Sequence, residues 1–104
     1  MLSDNRIKLL LSFFLHYVKK YDRIEDIRDS DMDNTIRIFS NFTDDEIVVL
    51  FVMLDKVRHI GYMGYGFKYY LFTIGNASEI MLRSNNIRKY HNRLKEMFPT
   101  FFNY

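Results

Sequence analysis

Five basic side chains fall within residues 83–95: Arg83, Arg88, Lys89, Arg93 and Lys95, interleaved with Asn85, Asn86, His91 and Asn92. Arginine and asparagine are the side chains that pair with guanine and adenine edges, and lysine neutralises phosphate. On a helix, Arg88, Asn92 and Lys95 share a face opposite Ile87 and Leu94, with Asn86, Lys89 and Arg93 beside it. Ser84-Asn85-Asn86 can supply the tight turn that a helix-turn-helix needs before such a helix. The formal net charge of the whole chain is only +2, whereas a nucleic-acid-binding domain is usually strongly basic. A solvated amphipathic face explains the same residues.

The glycines give a second pattern. All four, Gly61, Gly64, Gly66 and Gly75, lie in one segment with Tyr62, Tyr65, Phe67, Tyr69, Tyr70 and Phe72. The glycine order is not the dinucleotide fingerprint, and no Lys-Ser/Thr follows as in a phosphate loop. Aromatics between glycines usually pack where backbones approach closely. Tyr62 and Tyr65 are the two expected at the surface, where they, with Arg58, can anchor a protein partner.

Asp29-x-Asp31-x-Asp33-Asn34 imitates the start of a calcium loop. The imitation fails at the sixth position, Asn34 in place of glycine, and at the twelfth, where Ser40 replaces the bidentate glutamate. An acidic turn is the simpler account. His16, His59 and His91 are far apart and lack zinc-motif partners, and there is no cysteine. Nothing near these histidines has the form of a nucleophile with its base, or of a carboxylate pair in an apolar setting. The expectation is therefore a non-enzymatic chain with no catalytic residue, no metal site and no cofactor.

The elements that position these residues are helical. Thr43-Asp44-Asp45-Glu46 has the form of a capping box, with Thr43 as N-cap and Glu46 at N3. Phe42 and Ile47 occupy the positions of a hydrophobic staple. Arg58, His59 and Gly61 supply a C-terminal stop, so the helix is expected over about 44–60. Its apolar residues run all the way round from Ile47 to Leu54, which places it at the centre of the fold. Asp4 can cap a first helix over about 5–21, with Ile7, Leu10, Phe14, Val18 and Tyr21 inward and Leu11, Leu15 and Tyr17 widening the stripe. Short helices are expected near 23–29 and 33–41. Asn76 or Ser78 can cap a last helical region, split by Ser84-Asn85-Asn86 into about 77–83 and 86–98, with Pro99 limiting it.

These elements predict an all-α single domain over 1–104, a compact bundle of four to six helices around a central buried helix. One short β element near 67–74 is the exception the aromatic run allows. The early apolar run 9–15 has the outline of a signal peptide, but His16 and Lys19-Lys20 stand where the cleavage region belongs. No apolar run reaches the roughly 18 residues of a membrane span. No membrane association and a cytoplasmic location are the expectations.

Two compositional facts bear on function. Phe, Tyr, Met, Ile, Asn and Lys make up about half of the chain while alanine occurs once, at Ala77. Those six use AT-rich codons, which suggests an AT-rich genome: that of a phage, a large virus, a low-GC bacterium or a protist. Charge is also segregated: residues 1–21 carry net +3, residues 22–46 net −6 and residues 47–104 net +5. From these features the sequence favours a small protein-binding module, a phage or viral accessory protein that inhibits or redirects a host protein. The binding surface would be Arg58, Tyr62 and Tyr65, or the acidic band 22–34. The alternative is a DNA- or RNA-binding regulator using Arg83, Arg88, Lys89, Arg93 and Lys95. Phe101-Phe102 in the tail make a homodimer an additional expectation.

Overall fold

The computed structural model describes residues 1–20, 41–57 and 76–102, and the side chains of 1–16, 41–55 and 76–100. Within them lie α1 (Asp4–Lys20), α2 (Asp44–Val57), α3 (Ala77–Arg83), α4 (Ile87–Met97) and a single helical turn, α5 (Pro99–Phe102). There is no strand among the described residues, and the fold is an all-α bundle. The radius of gyration, 13.1 Å, is that of a compact domain of this length. The expected helices near 23–29 and 33–41, the stop at Arg58–Gly61 and the β element near 67–74 lie outside the described residues. So does the acidic turn Asp29–Asn34.

α2 begins as its capping box requires. The Glu46 N–H donates to Thr43 Oγ1 at 3.3 Å, and the Thr43 N–H donates back to Glu46 Oε1 at 3.2 Å. Two amides that the first turn would leave unpaired are thereby satisfied. Phe42, at the staple position, meets the ring of Phe13 edge-on, with centroids 5.0 Å apart. The staple residue thus ties α2 to α1.

The all-round apolar pattern has the consequence expected of it. Ile47, Val48, Val49, Leu50, Val52, Met53 and Leu54 are all buried, and Phe51 alone of the run is half-buried. α1, α3 and α4 each pack on α2. They contribute Ile7, Leu10 and Phe14 from α1, Ala77 and Ile80 from α3, and Tyr90 and Leu94 from α4.

Three local expectations are corrected. Ser3, and not Asp4, caps α1: its hydroxyl accepts from the Arg6 N–H at 3.2 Å and its carbonyl from the Ile7 N–H at 3.0 Å. A serine one residue earlier reaches the third amide equally well, and Asp4 is left in the first turn to face another element. Leu15 does not widen the buried stripe of α1; it is 43% exposed, and Leu9 is 62% exposed. Among the described side chains of α1, Ile7, Leu10 and Phe14 are buried and Leu11 and Phe13 pack partly against the core, whereas Leu9 and Leu15 turn away from it. Asn76 precedes α3 in a left-handed conformation, φ 54°, without a side-chain bond to the helix amides. Its amide Nδ2 instead donates to Glu79 Oε2 at 2.6 Å. Asparagine tolerates this backbone region better than most residues.

Candidate nucleic-acid interface

α3 and α4 are joined by Ser84, Asn85 and Asn86 alone. The chain leaves α3 because Ser84 adopts an extended conformation, with its N–H returning to the Met81 carbonyl at 3.3 Å. The Asn86 N–H donates to Ser84 Oγ at 3.2 Å, closing the turn on a side chain. α4 then starts with the Tyr90 N–H on the Asn86 carbonyl, 3.0 Å. It has no side-chain cap and no acidic residue in its first turn.

The orientation of α4 about its own axis is set from inside. Tyr90 is fully buried, and a buried phenol needs a polar partner. Its hydroxyl donates to Asp45 Oδ2 at 2.7 Å and accepts from the Leu2 N–H at 3.0 Å. Burial, then the hydrogen bond and charge of Asp45, push the phenol up to about 12, against a smaller opposing effect of the Leu2 amide. Leu94 lies one turn further on and is also buried. With Tyr90 and Leu94 inward, Arg88, Lys89, Asn92 and Lys95 are exposed.

The five basic residues singled out by sequence therefore divide. Arg93 is engaged: Nε donates to Asp4 Oδ1 at 2.9 Å, Nη2 also contacts Asp4, and Nη1 donates to Glu96 Oε2 at 2.8 Å. Arg83, at the end of α3, stands 4.0 Å from Asp44 with both side chains mostly exposed, a contact of little strength. Arg88, Lys89 and Lys95 form no ion pair with a described residue. Arg88, Asn92 and Lys95 lie within one face, as the helical spacing predicted.

A second ionic group joins α1 to the first turn of α2. Arg6 Nε donates to Glu46 Oε2 at 2.9 Å, and Glu46 is 5% exposed. Burial pushes that carboxyl up. The hydrogen bonds from Arg6 and Thr43, with the Arg6 charge, outweigh it and leave the group below its ordinary value. Sequence reasoning identified Glu46 as a cap residue and missed Arg6 as its partner. Helical spacing puts Tyr90 on the same stripe as Leu94 but does not name Asp45 as its partner. A tyrosine on a buried stripe is itself a signal that a polar partner must be found.

Asp44, Asp45, Val48, Ile80, Arg83, Ser84, Asn85 and Asn86 line a cleft of about 280 Å³ between the start of α2 and the α3–α4 turn. Arg58, Tyr62 and Tyr65, the residues expected to bind a protein partner, lie outside the described residues. Among the described residues no helix is long and apolar enough to cross a membrane, and no group of three or more metal-ligating side chains occurs. The chain matches no family model, no curated protein and no solved structure.

Proposed function

We propose that the chain is a small non-enzymatic nucleic-acid-binding regulator that uses α3, the three-residue turn and α4 as a helix-turn-helix. One observation carries this reading: the outer face of α4 holds Arg88, Asn92 and Lys95, exposed and without an ion pair to any described residue, directly after a tight turn. A single helix fits the major groove of B-form DNA, whereas the deep, narrow major groove of A-form RNA does not admit one. Duplex DNA is accordingly the substrate the surface suits. Arg88 and Asn92 have the chemistry to read base edges, and Lys89, Lys95 and Arg83 the chemistry to neutralise phosphate. The modest whole-chain charge is compatible with this reading because the acidic residues are concentrated in 22–46.

The test is fluorescence anisotropy on mixed-sequence duplex DNA over a salt series. The expected result is binding that weakens linearly in log–log form as salt rises. Absence of binding at low salt overturns the reading.

A second reading rests on a different observation. Leu9, Leu15 and Leu82 stand in solvent, Leu82 at 88% exposure, and exposed apolar side chains suit a protein contact. In that reading the chain is a protein-binding accessory factor, phage or viral in origin, that inhibits or redirects a host protein. A stable host protein recovered by pull-down, with no DNA binding, would favour it. A light-scattering mass above one chain would indicate self-association instead.

A further inference from the structure

The cleft beside the α3–α4 turn has walls of opposite charge. Asp44 and Asp45 stand on one side, Arg83 with Asn85 and Asn86 on the other, and Val48 and Ile80 close it toward the core. Its volume of about 280 Å³ lies just below that of drug-sized ligand sites, suited to a few heavy atoms. Asp44 Oδ2 and Arg83 Nη2 are 4.0 Å apart. A pair of opposite charges at that spacing is complementary to a second pair laid antiparallel upon it. An α-amino acid has this form, because its ammonium and carboxylate share one carbon and lie about 3 Å apart. Its ammonium would lie against Asp44 and Asp45 and its carboxylate against Arg83. A simple cation or anion would instead meet one attractive and one repulsive neighbour.

Two further features support the same polarity. The side-chain amides of Asn85 and Asn86 carry no hydrogen bond to a described residue, and each can both donate and accept. α4 begins directly after Asn86 with neither a cap nor an acidic first turn, so its positive end favours a carboxylate on the Arg83 side. We propose that this cleft binds a small zwitterion, a free amino acid with its ammonium and carboxylate on the same carbon. Its occupancy does not depend on nucleic-acid binding: a chain that failed to bind DNA would still take the ligand.

The experiment is an amide-resolved NMR titration of the full chain with glycine and L-alanine, with methylamine and acetate as single-charge controls. Expected are saturable shifts at Asp44, Arg83, Asn85 and Asn86 at millimolar ligand, with neither control saturating. Asp44→Asn and Arg83→Gln each weaken glycine binding by about fivefold or more. Both side chains are mostly exposed, so both variants retain the fold, which unchanged amide dispersion away from the cleft verifies. Failure of both amino acids to saturate overturns the proposal. So does equal binding of methylamine or acetate, or unchanged affinity in both variants.

Discussion

The amino ends of α1 and α2 and the outer face of α4 are both charged, and they use charge in opposite ways. At the first, Asp4 faces Arg93, Arg6 faces Glu46 and Asp45 faces Tyr90, so each of these groups is answered by another part of the chain. At the second, Arg88, Lys89 and Lys95 have no such answer among the described residues. Charges bound to one another hold helices in register. Unanswered charges of one sign on one face are available to a partner, and they add little to stability. The difference separates the residues that orient α4 from those that α4 presents.

The largest effect expected on the first side follows Glu46→Ala. It removes the reciprocal half of the capping box and leaves Arg6 without its acceptor, at a cost of about 2–3 kcal/mol. A urea midpoint unchanged from wild type would break the comparison. Tyr90→Phe comes next, destabilising by about 1–2 kcal/mol because the Leu2 amide and Asp45 each lose a partner. The two sites also separate by pH. The Glu46 carboxyl is depressed in the fold, so its contribution is present above its unperturbed 4.5 and is lost as pH falls through the lower native value. Tyr90 is raised from 10.0 to about 12, so its contribution is present below 10.0 and is lost as pH rises toward 12. Urea midpoints across pH should show the acid loss abolished in Glu46→Gln and the alkaline loss abolished in Tyr90→Phe.

On the second side the expected pattern inverts. Arg88→Ala combined with Lys95→Ala should lower DNA affinity by about tenfold or more and reduce the salt slope by about 2, while stability stays within about 0.5 kcal/mol. Unchanged anisotropy curves would remove α4 from the interface. The smallest effect is expected from Arg83→Gln, below about 1 kcal/mol in stability, since its contact with Asp44 is long and exposed. A larger thermal shift would mean that the α3–α4 turn depends on that pair.

Much of the helical layout was legible from local signals. Thr43 and Glu46 are three residues apart, and their reciprocal bonds form within one turn of chain. Ile47–Leu54 are apolar on every side, which leaves only a central position. Ser84-Asn85-Asn86 interrupts the periodic pattern where the helix breaks. Asp4 and Leu15 were less legible, because a neighbouring serine competed for the cap and the covered width of α1 depends on what packs against it.

By itself, then, the sequence determined where helices start, which one is central, and that α4 has an apolar and a basic side. These are matters of spacing within a turn or two, where backbone geometry leaves little choice. The tertiary structure alone decided which charges pair. Arg6 and Glu46 are 40 residues apart, Asp45 and Tyr90 45, and Asp4 and Arg93 89. An ionic contact depends on distance in space: Glu96 lies within a turn of Arg93, but nothing local in the chain distinguishes Asp4 from the other carboxylates as the residue that holds Arg93. Only the packing of α1 and α4 on α2 makes that distinction.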